Sequence, residues 1–108
     1  MYAMRVSMDI KPGRMTEAVR LMGSIMERVR NEDGCLAFDV GTSTESNTMF
    51  IYESFVNKAY HDDVHESYPE VIELLGSIND FVEGPMSIET MQLRYSRDSG
   101  AKLLGPGE

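Results

Sequence analysis

Thr48 to Val56 is apolar on both faces of a strand pattern, with Met49, Ile51 and Phe55 alternating against Phe50, Tyr52 and Val56. A strand of this kind must be covered on two sides. A chain of 108 residues makes one domain with one modest core, and its helices can cover only one face of a sheet. The economical cover for the other face is the sheet of a second copy, so the pattern predicts a homodimer.

The rest of the chain supplies the elements around that strand. Tyr2, Met4, Val6, Met8 and Ile10 alternate with Ala3, Arg5, Ser7 and Asp9, which predicts a strand with one buried face. Lys11-Pro12-Gly13-Arg14 breaks it. Met15, Ala18, Val19, Met22, Ile25, Met26 and Val29 then recur at helical spacing, and Asn31 to Gly34 ends that helix. Cys35 to Thr44 predicts a second strand with Leu36, Phe38 and Val40 on one face, joined to the third by the turn Glu45-Ser46-Asn47. Asn57 caps a short helix through about Glu66. Ser67 and Glu70 form a capping-box pattern with Pro69 in the first turn of a longer helix, whose stripe runs from Val71 to Val82. Glu83-Gly84-Pro85 stops it, and Met86 to Ser96 is a last strand.

This order predicts an α+β, ferredoxin-like antiparallel sheet with helices on one face. Residues 1–96 form the domain, and residues 97–108 form a polar, Gly-rich tail expected to be mobile.

Charge and composition exclude several functions. A net charge of -8 with scattered basic residues argues against a nucleic-acid surface. No apolar run is long enough to cross a bilayer and no leader pattern opens the chain, so a cytoplasmic location is the default expectation. Cys35 is the single cysteine, which precludes an intrachain disulfide and suits a small buried hydrophobe better than a nucleophile. Nine methionines fit either gap-filling in the core or a deformable apolar cavity. No phosphate-cradling glycine loop, G-x-S-x-G, haem or flavin signature is present, so an enzyme here is expected to need no cofactor.

Most candidate chemistry lies between Ile51 and Pro69. His61-Asp62-Asp63-Val64-His65 sets two imidazoles four residues apart and superficially resembles a zinc-binding H-E-x-x-H. Asp62 is shorter than the usual glutamate and no third ligand stands at a recognisable spacing, so no metal is expected. His61 is expected at the surface. His65 is either a general acid-base or a histidine that seats its helix on the sheet. Glu53 lies among apolar residues and needs a partner, for which Arg5 or Arg94 is available; a structural Glu53–Arg5 ion pair is the expectation. Tyr52, Tyr60 and Tyr68 either line a pocket or serve as amphipathic packing.

The chain also resembles the antibiotic biosynthesis monooxygenase superfamily over about residues 2–95. The matching marks are Lys11-Pro12-Gly13, Glu32-Asp33-Gly34-Cys35-Leu36 leading to Phe38-Asp39-Val40, Tyr52-Glu53-Ser54-Phe55, Ala59-Tyr60, His65 with Pro69, and Gly84-Pro85. No one mark is specific; their order and spacing carry the resemblance. It implies a dimeric α/β barrel with a pocket between helices and sheet, and the closest branches are the quinol monooxygenase-like proteins and a phospho-autoinducer isomerase. His65 falls where the family commonly has its helix histidine. Three departures stand out: there is no Trp, which argues against the haem-degrading branch, Phe55 replaces a frequent Trp or Tyr, and Glu70 replaces a frequent second histidine.

The resulting expectation is a cofactor-independent monooxygenase that acts with molecular oxygen on a small phenol, quinol or anthrone. His65 would be catalytic, and Phe38, Tyr52, Phe55, Tyr60 and Tyr68 would bind the substrate. One alternative is an isomerase of a phosphorylated hydroxyketone, which requires Lys or Arg at the pocket, with Lys11, Arg14 and Lys58 as the scattered candidates. The other is a non-catalytic binder of small molecules.

Overall fold

The computed structural model describes residues 1–94; the 97–108 tail and the end of the expected last strand lie outside them. Four strands, β1 (Tyr2–Asp9), β2 (Cys35–Thr42), β3 (Thr48–Phe55) and β4 (Ser87–Gln92), form one sheet in the order β2-β3-β1-β4. Every pairing is antiparallel. Helices α1 (Met15–Gly23), α2 (Met26–Arg30), α3 (Lys58–Asp63) and α4 (Pro69–Ile78) complete an α+β ferredoxin-like fold. No helix of the described residues is long and apolar enough to cross a membrane.

Register assigns the faces. Met4, Val6 and Met8 of β1 stand opposite Glu53, Ile51 and Met49 of β3, and this face meets the helices. Arg5 and Ser7 stand opposite Tyr52 and Phe50, on the reverse face. Between Cys35 and Ala37 the β2–β3 ladder shifts by one residue, a bulge at Leu36. Cys35, Phe38 and Val40 therefore all pack against the core, whereas Leu36 is left exposed.

The expected first helix is two. Gly23 has poor helical propensity, and the Ser24 hydroxyl donates to the Leu21 carbonyl at 2.6 Å, drawing the backbone out of its ladder. Ile25 still reaches the core, so α2 resumes on the same side. Asn57 caps α3 as expected, its side chain accepting from the Tyr60 N–H at 2.7 Å. The expected capping box does not form. Ser67 belongs to a 3-10 turn, His65–Ser67, where its hydroxyl donates to the Val64 carbonyl, and Tyr68 precedes α4 without a side-chain cap. Pro69 does occupy the first turn of α4. That helix ends at Ile78, and Val82 instead bridges to Ile10.

Candidate active site

A cavity of about 240 Å³ lies between the helix-facing side of the sheet and α1, α3 and α4. Its wall is apolar for most of its extent, and Met4, Met8, Met22 and Met86 are part of it. The first three also belong to the core, so the methionines both fill the interior and line its cavity. Polar groups gather at one end: Glu53, His61, His65 and Glu66. Leu75 and Ile88 are exposed as well as lining, so the cavity reaches solvent beside α4 and the edge strand β4.

His65 is 5% exposed and its Nδ1 lies 2.9 and 3.0 Å from the two carboxylate oxygens of Glu32. A carboxylate only accepts, so this contact places the hydrogen on Nδ1 and leaves Nε2 as the basic nitrogen. Glu32 is itself buried and also accepts from the Tyr60 hydroxyl at 3.2 Å. That second bond depends on Gly34. A Cβ there would stand 2.4 Å from Tyr60 Cε2, so only glycine lets the ring lie over the turn that carries Glu32. Burial pushes the Tyr60 phenol above its ordinary range, and Glu32 adds to the effect, so the hydroxyl remains a donor.

His61 corrects an expectation. It is 6% exposed rather than at the surface, stacked 5.8 Å from His65 and packed 5.0 Å from Phe55 and 5.4 Å from Tyr2. Its Nδ1 lies 2.7 Å from Asp62, which also holds Lys58. Its Nε2 lies 3.8 Å from Glu53 and 3.9 Å from Glu66, beyond hydrogen-bond reach of either. Burial, then the nearby charges of Glu66 and Glu32, push the Glu53 carboxyl up to about 7. His61, Asp62 and Glu66 bring ligand atoms within 4.8 Å of one another, but both acids are exposed and Asp62 already has two partners, so this cluster is not assigned a metal.

Of the expected substrate-binding residues, the structure brings only Phe38 to the cavity beside His65. Tyr52 stands on the reverse face of the sheet. Phe55 is fully buried behind the two imidazoles, 4.7 Å from His65, and supports them without lining the cavity. Tyr60 is spent on Glu32, and the Tyr68 ring lies under the Arg28 guanidinium at 3.7 Å. The expected Glu53–Arg5 pair does not form. The two residues project from opposite faces, and Arg5 instead meets Glu89 at 3.3 Å. Cys35 is half-buried, its thiol pushed up to about 12 by burial and by Glu32 and Glu53, which leaves no thiolate for nucleophilic work.

The model of the antibiotic biosynthesis monooxygenase family matches residues 1–71, a span that contains Glu32, Glu53 and both imidazoles. The chain belongs to that family. Solved structures agree on its fold. A crystal structure of an antibiotic biosynthesis monooxygenase is 21% identical, with a TM-score of 0.79 over 86% of this chain and 98% of the other. The Rv0793 protein of Mycobacterium tuberculosis is 16% identical with a TM-score of 0.78, covering 85% of this chain and 93% of its own. A conserved protein from Methanosarcina mazei is 21% identical with a TM-score of 0.76, covering 85% and 93%. Among curated proteins, none matches the sequence. Within this family member, Glu32, His61 and Glu66 are the site residues that sequence reading missed. The one available signal for Glu32 was a carboxylate directly ahead of Asp33-Gly34, since its partner His65 follows 33 residues later.

Proposed function

We propose that the protein is a cofactor-independent monooxygenase acting on a small phenol, quinol or anthrone held in the cavity. The observation that carries this reading is the buried Glu32–His65 pair on the wall of an otherwise apolar chamber. His65 Nε2 takes the phenolic proton, and the Glu32 carboxylate stabilises the imidazolium that forms. The resulting electron-rich anion passes one electron to molecular oxygen, and the two radicals combine at carbon. Loss of water from that hydroperoxide leaves the quinone. His65 returns its proton to the peroxide anion, the substrate supplies all four electrons that dioxygen takes up, and one oxygen atom enters the product while the other leaves as water.

Phe38 and the methionines favour a flat apolar substrate of modest size, given about 240 Å³ of space. The phosphorylated hydroxyketone loses support, because among the described residues no Lys or Arg lines the cavity. A homodimer joined through the reverse face of the sheet belongs to the same proposal. Phe50 is exposed there, beside the half-buried Tyr52, and a partner sheet would cover both. Light scattering on the purified protein tests the dimer. Oxygen uptake with a hydroquinone or anthrone, in metal-free buffer, tests the chemistry. Turnover that is the same in His65→Ala as in the wild type would overturn the mechanism, and binding without oxygen uptake would identify a non-catalytic binder.

A further inference from the structure

The oxygenase reading employs His65 and leaves Glu53 without a role. Glu53 sits mid-strand, 7% exposed, on the wall of the cavity, and among the described residues nothing donates a hydrogen bond to its carboxyl. A carboxyl largely withdrawn from water with no donor beside it is costly. Among the described residues, Arg5 and Lys58 are committed elsewhere, and His61 comes only to ion-pair distance. Arg5 lies on the reverse face with Glu89, and Lys58 is held by Asp62. His61 turns Nδ1 to Asp62 and holds Nε2 beyond bonding distance of Glu53 and Glu66. The carboxylates of Glu66 and Glu32 meanwhile act on Glu53 as like charges.

We propose that this end of the cavity is a seat for a positively charged group, so that the molecule it takes up carries a protonated amine on an apolar body. An ammonium offers three donors from one atom, enough for Glu53 and Glu66 together, and its charge offsets their mutual repulsion. A hydroxyl can satisfy one carboxyl but leaves the repulsion in place, and an anion adds to it. The methionine-rich wall takes the apolar body. The chain's net charge of -8 draws cations toward the molecule before contact. This proposal rests on the same cavity as the oxygenase reading but on none of its oxygen chemistry.

Three probes of one shape separate the possibilities: 2-phenylethylamine, 2-phenylethanol and phenylacetate, titrated calorimetrically without oxygen at pH 8. The amine is expected to bind at least about tenfold more tightly than the alcohol, and phenylacetate more weakly than both. In Glu53→Gln the amine's advantage should fall to within about twofold of the alcohol, while alcohol binding persists and shows that the cavity is intact. Glu66→Gln, at a partly exposed position, should reduce the advantage by about threefold. An amine no tighter than the alcohol overturns the proposal, as does an advantage that survives both substitutions or the failure of all three probes to bind at millimolar concentration. Absent oxygen uptake with a hydroquinone would defeat the oxygenase reading and leave these binding ratios untouched.

Discussion

Two imidazoles stand side by side in this molecule, and their carboxylate partners differ. His65 bonds to Glu32, whose side chain is fully buried, whereas His61 bonds to Asp62, which is partly exposed and shared with Lys58. Both rings are equally buried. Burial of the imidazole therefore does not distinguish them; burial of the partner does. A charge arising on His65 is answered by a carboxylate shielded from water, where the interaction is strong. The same charge on His61 is answered near the surface, where solvent weakens it.

The most direct way to break this comparison is to remove each ring in turn. His65→Ala is expected to lower oxygen uptake with a hydroquinone at least about 100-fold, and His61→Ala by less than about tenfold, as read on an oxygen electrode. Equal losses would mean that the two imidazoles act as a unit. The partners come next. Glu32→Ala strands the Nδ1–H of His65 and the Tyr60 hydroxyl, and should cost about 2–3 kcal/mol in urea unfolding. Asp62→Ala, at the surface, should cost less than about 0.5 kcal/mol.

Glu53 sharpens the comparison through pH. Its folded carboxyl titrates at about 7 against an ordinary 4.5, so the folded state binds the proton more tightly than the unfolded chain does. Its stabilising contribution is whole below the ordinary value and is lost as pH rises through about 7. Glu53→Gln should therefore gain stability over the wild type on the order of 1–2 kcal/mol at pH 8, a gain that disappears near pH 4. Matched urea titrations at the two pH values check this. A smaller loss than that of Glu32→Ala is expected from Tyr60→Phe, which removes one hydroxyl from Glu32 and should cost about 1 kcal/mol, with the His65 contact kept.

Periodicity carried the fold. The alternation of Tyr2 to Ile10 and the stripe opening at Val71 follow from one buried face on each element, and both appear where the pattern puts them, although the helix stops at Ile78 and not at Val82. Breaks were harder to read, because at Gly23-Ser24 the apolar spacing continues while a local hydroxyl bond interrupts the backbone. At the site, His65 and Phe38 were legible and the tyrosines were misplaced. Residue type suits a tyrosine to a pocket or to packing alike, whereas strand parity sets Tyr52 on the side opposite Ile51 and Glu53. Parity would likewise have separated Arg5 from Glu53, since one stands opposite Tyr52 and the other opposite Met4. For Glu32 the sequence offers a carboxylate ahead of Asp33-Gly34 but no sign of its partner. Its role exists only after the chain folds back to bring the 3-10 turn over the end of α2.

The bulge at Leu36 gives the family member an unusual kind of adjustability. Because one extra residue is absorbed there, Phe38 points inward and Asp39 outward. Loss of Leu36 would leave both as they are, because Ala37 and Phe38 already pair with Ser54 and Glu53 as they would in an unbroken ladder from Cys35. The strand therefore tolerates a change of length at this one spot while the chamber keeps its lining.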